Sequence, residues 1–103
     1  MAKTVDITPA EKREDLVINY GDLKIGPLPG EVPSELLEII DAVPQPKVRA
    51  GKQLEEYNSA VGQVTAAYLW RTLIPEGQRK KLSLKDVNAI LPVWTEHVGL
   101  GKD

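Results

Sequence analysis

The side chains of this 103-residue chain that could carry proton or acyl chemistry are few. His97 is the single histidine, and a Ser-His-Asp arrangement would need it to be organised by a carboxylate and aimed at a serine. The serines stand only at Ser34, Ser59 and Ser83, and Ser34 and Ser83 are better explained as helix-start residues. A zinc or iron site needs three or four clustered donors, and the chain has no cysteine to help supply them. Glu55 with Glu56, and Glu35 with Glu38, offer paired carboxylates, but each pair falls on the polar face of an expected helix, where water keeps both groups ionised. Gly21, Gly26 and Gly30 lie among prolines, without the Lys-Ser or Lys-Thr pair that completes a phosphate loop. The expectation is a protein with no catalytic residues, no metal site and no cofactor.

Two other features could recognise a partner. Arg79-Lys80-Lys81 is a run of three like charges that could meet phosphate or an acidic surface, although a solvated connector between helices is its plainer reading. Joined to the capped helix after it, this run suggests a helix-turn-helix DNA reader. Pro92 inside the would-be recognition helix and a formal net charge of -2 argue against that, so nucleic acid is not expected as a partner. The second feature is the cluster Tyr68, Leu69, Trp70 and Trp94. At about 100° per residue the first three span about 200° of a helix, more than one core-facing stripe holds. Their helix is therefore either central to the fold or part of an interface.

These residues have to be placed by local elements, and most of those are readable. Residues 1 to 14 are polar and form a flexible arm, with one helical turn starting at Thr8-Pro9. Leu16 to Ile25 is a pair of β-prone runs around Gly21-Asp22, a two-residue hairpin signal. That loop pairs Tyr20 with Leu23, Asn19 with Lys24 and Ile18 with Ile25, and puts Leu16, Ile18, Tyr20, Leu23 and Ile25 on one apolar face. Gly26-Pro27-Leu28-Pro29-Gly30 is expected to end the ladder, bringing the hairpin to 16–28. Helices follow at about 34–43, 53–74 and 84–98. Pro44 to Gly51 reads as a linker, Gln78 to Leu82 as a further basic turn, Ser83 with Asp86 as a capping pair and Gly99 as a C-terminal cap. Leu84, Val87, Ile90 or Leu91, Trp94 and Val98 form the apolar stripe of the last helix, in which Pro92 predicts a kink or break. The fold class is α+β, mainly helical: a two-stranded hairpin packed on three to four helices, a single domain over 15–103.

Composition bounds the rest. Thirteen Lys and Arg stand against fifteen Asp and Glu, with two Trp, three Tyr and no Phe, so aliphatic residues must fill most of a modest core. Met1 to Asp6 has no apolar run resembling a secretory signal, and no stretch approaches the roughly 18 apolar residues of a membrane span. A cytosolic location is expected, and no membrane contact is expected.

The order of elements resembles the tail assembly chaperones of long-tailed bacteriophages with non-contractile tails. The residues that carry the likeness are the hairpin Leu16 to Ile25 and then Leu28-Pro29-Gly30-Glu31-Val32-Pro33-Ser34-Glu35-Leu36-Leu37-Glu38-Ile39. After the long helix come Leu84-Lys85-Asp86-Val87-Asn88-Ala89-Ile90 and His97-Val98-Gly99-Leu100-Gly101. The likeness implies a protein that binds the tape measure protein and keeps it soluble while the tail tube assembles, with the tail tube protein as a further candidate partner and self-association expected. Leu69, Trp70, Leu73 and Trp94 would be its contacts to the partner or to neighbouring copies. In this family a longer product often arises by ribosomal frameshifting, and Gly101-Lys102 is a dipeptide that a common slippery site encodes. A structural head-tail connector or tail completion protein is the alternative, and a small helix-turn-helix regulator or antitoxin a further one.

Overall fold

A computed structural model describes residues 2–9, 13–48 and 50–100. Its elements are β1 (Leu16–Tyr20), β2 (Leu23–Leu28), α1 (Ser34–Asp41), α2 (Gly51–Tyr68), a π-helical turn (Leu69–Leu73), α3 (Glu76–Arg79) and α4 (Leu84–Val98). A two-stranded antiparallel hairpin packs against these helices, as the sequence leads one to expect.

The hairpin register is the expected one near its turn: Tyr20 faces Leu23, Asn19 faces Lys24 and Ile18 faces Ile25. Gly21 holds a φ of 61° while among the described residues no non-glycine has a positive φ, the pattern of a II′ turn, whose twist suits the flanking strands. Beyond Ile25, β2 continues through Gly26 and Pro27 to Leu28, the expected end of the hairpin, and Leu28 pairs with Leu16 across an irregularity in the ladder. Two residues on β2 therefore oppose the single Val17 on β1, which is a bulge. On a regular strand Ile25 and Leu28, three positions apart, would face opposite sides. The extra residue turns both inward, and both are fully buried.

The core gathers these two residues with Leu36, Ala66, Tyr68, Leu69, Ile74, Val87, Ile90, Trp94 and Val98, and Leu16, Ile18, Tyr20 and Leu23 pack on its flank. Trp94 is completely enclosed, and its indole N–H donates to the carbonyl of Pro29 at 2.9 Å. That bond joins α4 to the segment after the hairpin. Tyr20 hydroxyl donates to Asp86 Oδ1 at 2.7 Å, so the hairpin also holds the first turn of α4. There the expected capping box is complete, with Ser83 N–H donating to Asp86 Oδ2 at 2.9 Å and Asp86 N–H donating to Ser83 Oγ at 3.3 Å. Gly99 ends the helix at a φ of 79°, as a left-handed cap requires.

Three expectations need correction. The long helix does not run as α-helix to residue 74: α2 ends at Tyr68, and Ile74 N–H donates to the Leu69 carbonyl five residues back at 2.9 Å. This wide turn serves packing, because Leu69 and Ile74 would stand about 140° apart on an α-helix yet both are buried. Pro92 does not break α4, which continues from Leu84 to Val98. Both Pro92 and Asn88, whose carbonyl loses its partner, are exposed, so water can serve that carbonyl. The basic turn after the long helix begins earlier than expected, as α3 from Glu76.

Residues 2–9 are exposed and without regular secondary structure. The helical turn expected at Thr8-Pro9 reaches into residues 10 and 11, which lie outside the described residues, as do Gly101 and Lys102. The end of the arm is tied down at Arg13 and Glu14: Arg13 donates to the Val98 carbonyl at 3.4 Å, and the Glu14 carbonyl sits 2.6 Å from His97 Nε2. The radius of gyration is 16.3 Å, against about 13 Å for a compact domain of this length. At the start of α2 no residue from 51 to 60 is buried.

Candidate binding surface

The π turn decides what happens to the aromatic cluster. Tyr68 and Leu69 point inward, at 2% and 0% exposure, while Trp70 leaves the core at 40%. Burial of the Tyr68 hydroxyl, and then the neighbouring Glu35 carboxylate, push its pKa above the ordinary value. α1 therefore packs on the Tyr68 side of the long helix, while Trp70 faces outward.

Of the four residues expected to contact a partner, only Trp70 is openly accessible. Leu69 and Trp94 are fully buried and belong to the core, because α1, α4 and the hairpin close over the helix from several sides. Leu73 is half-buried against that core.

Trp70 is one wall of an apolar groove of about 330 Å³ formed with Ala67, Leu82, Leu84 and Val87. Its ring is held from outside by Arg79, whose guanidinium carbon lies 5.4 Å from the ring centroid and whose carbonyl accepts the indole N–H at 3.3 Å. Arg79 Nη2 donates to the Ile74 carbonyl at 3.4 Å, so the cation is pinned between the π turn and α3. Val87 forms the buried floor, and Leu84 the outer lip at 74% exposure. This corrects the reading of Leu84 as core: the first residue of α4 lies beyond the layer that the hairpin covers. The Ser83 cap could have signalled this, since it puts Leu84 at the very end of its helix. Lys80, Lys81 and Lys85 are exposed beside Leu82 and Leu84 and give the groove a basic border.

Two other hollows differ in character. One of about 500 Å³ lies between the linker and α2, walled mostly by polar and proline residues including Gln45, Lys47, Gln53 and Glu56. The other, of about 310 Å³, runs between α2 and α4 past Val61, Thr65, Leu91 and Leu100. The Trp70 groove alone joins an exposed aromatic ring, an exposed leucine and a cationic border.

Two of the residues considered for catalysis are engaged elsewhere. Ser83 caps α4, and His97 contacts the Glu14 carbonyl. Among the described residues, no group of three or more His, Cys, Asp or Glu is placed to hold a metal ion, and no helix is long and apolar enough to cross a membrane. Comparison with protein-family models, with curated proteins and with solved structures found no match.

Proposed function

We propose that this chain is a binding protein whose working surface is the Trp70 groove, and that it acts as a tail assembly chaperone holding the tape measure protein of a non-contractile phage tail soluble. The observation that carries the binding role is the joint exposure of Trp70 and Leu84 on the walls of one apolar groove. Aromatic residues held rigidly at a desolvated hollow are the usual anchors of protein recognition. The tape measure protein as partner rests on the resemblance of residues 16 to 103 in element order and phrasing. A long apolar helical protein would present repeated apolar faces of the size this groove accepts.

Co-expression with the tape measure protein tests the reading. The wild-type chain is expected to keep that protein in the soluble fraction, and Trp70→Ala with Leu84→Asp to release it to the pellet. Equal insolubility with and without the wild-type chain overturns the assignment. Mass spectrometry of purified virions separates the chaperone, expected to be absent, from a head-tail connector or completion protein, which stays in the particle.

A further inference from the structure

Charge is distributed unevenly over the surface of this nearly neutral chain. Between residues 76 and 85 there are four basic residues, Arg79, Lys80, Lys81 and Lys85, and one acidic residue, Glu76. Between residues 31 and 42 there are four acidic residues, Glu31, Glu35, Glu38 and Asp41, and no basic one. The acidic segment is largely α1, whose outward face repeats at helical spacing as Ser34, Leu37, Glu38 and Asp41. All four are exposed, Leu37 at 50%. A large apolar side chain flanked by carboxylates thus stands on one element, and an apolar groove bordered by ammonium groups on another.

These two surfaces cannot meet within one molecule. α1 packs on α2 with Glu35 beside the Tyr68 hydroxyl, on the buried side of the long helix, whereas Trp70 in the π turn faces outward. We propose that the groove takes α1 of a second copy of this chain, with Leu37 entering between Trp70 and Leu84 and with Glu38 and Asp41 facing Lys80, Lys81 and Lys85. Since the two patches lie on opposite sides of α2, a two-fold pair cannot satisfy both contacts at once. The association is heterologous, head to tail, and leaves a free groove at one end and a free α1 at the other. The inference rests on the groove being a binding surface, as above, but not on which partner it serves. It gives that surface a regulation: α1 of a neighbour covers the groove until a partner with a stronger apolar face displaces it.

Sedimentation of the full chain over a range of concentrations and salt tests the contact without any partner protein. Concentration-dependent assembly is expected at about 0.01 M salt and its loss at about 1 M, as the Debye length falls from about 30 Å to about 3 Å. The variant Lys80→Glu/Lys81→Glu/Lys85→Glu, with both patches acidic, should be monomeric. So should Glu31→Lys/Glu38→Lys/Asp41→Lys, with both patches basic. Mixed, the two should regain concentration-dependent assembly with the variants alternating, because the basic groove of the second takes the acidic α1 of the first and the acidic groove of the first takes the basic α1 of the second. All six positions are exposed, and urea unfolding of each variant checks that it remains folded. A wild-type chain that stays monomeric at low salt, variants that still self-associate, or a mixture that fails to pair would each overturn the proposal. A failed co-expression experiment with intact head-to-tail assembly would instead count against the tape measure assignment alone.

Discussion

The side-chain amide of Gln78 makes two hydrogen bonds to one residue, Gly26: the Gly26 N–H donates to Gln78 Oε1 at 2.8 Å, and Gln78 Nε2 donates to the Gly26 carbonyl at 2.9 Å. A carboxamide here does what a third strand would do, satisfying the outer edge of β2 at the bulge. It also ties α3, and with it Arg79 and the Trp70 groove, to the hairpin. An open strand edge is a template for unwanted pairing, so this clamp closes a liability while it positions the candidate site.

Gln78→Ala should therefore lower stability by about 1–3 kcal/mol, the range for leaving part-buried backbone groups without partners. Gln78→Glu should cost more than Gln78→Ala at neutral pH, since a carboxylate cannot donate to the Gly26 carbonyl and would face it with negative charge. Urea midpoints of the three proteins compare them directly, and equal midpoints would show that the clamp contributes nothing.

Gly26 combines a positive φ with a close backbone approach. Its φ is 124°, and a β-carbon there would lie 2.6 Å from the Leu16 carbonyl oxygen and 2.9 Å from the Leu28 nitrogen, both backbone atoms that cannot swing aside. Gly26→Ala should cost at least about 1–3 kcal/mol from backbone conformation alone, with the clash added. Gly21→Ala is the control: its φ is 61° but nothing lies within 4 Å of the added carbon, so only about 1–2 kcal/mol of left-handed strain is expected. Thermal unfolding of the pair should rank them in that order.

Acid should loosen the junction between hairpin and α4. The Ser83 backbone N–H first, then the Tyr20 hydroxyl and the Ser83 hydroxyl, hold the Asp86 carboxyl below its ordinary pKa. A carboxylate with a depressed folded-state pKa contributes stability that is present above the unfolded value of about 3.9 and disappears as pH falls through the folded value. The stability gap between the wild type and Asp86→Asn should be constant near neutrality and close below about pH 4. Tyr20→Phe should raise the Asp86 pKa towards normal, readable by carboxyl NMR titration. An unshifted Asp86 in the wild type would refute this account.

The two tryptophans should separate stability from binding. Trp94→Phe leaves the Pro29 carbonyl without its donor and opens space in a close-packed core, and is expected to cost about 2–4 kcal/mol. Trp70→Ala gives up a partly exposed ring and a cation–π contact of about 0.5–1 kcal/mol, so unfolding should change far less while assembly or partner binding is lost. A Trp70→Ala protein as destabilised as Trp94→Phe would return Trp70 to the core.

Much of this protein is legible in its residues alone, for local reasons. The two-residue Gly21-Asp22 turn dictates which residues pair across the hairpin, and Ser83 with Asp86 and Gly99 mark the two ends of α4, because turn and cap geometry depend on neighbours a few positions apart. Other outcomes were decided by contacts far along the chain. The bulge that turns Leu28 inward depends on Leu16 and on Gln78, fifty-two positions from Gly26. The π turn depends on burying both Leu69 and Ile74. Above all, Leu69 and Trp94 became core while Trp70 and Leu84 stayed open, although all four are large and apolar. Residue type states which side chains gain from leaving water; only the tertiary arrangement states which of them another element arrives to cover.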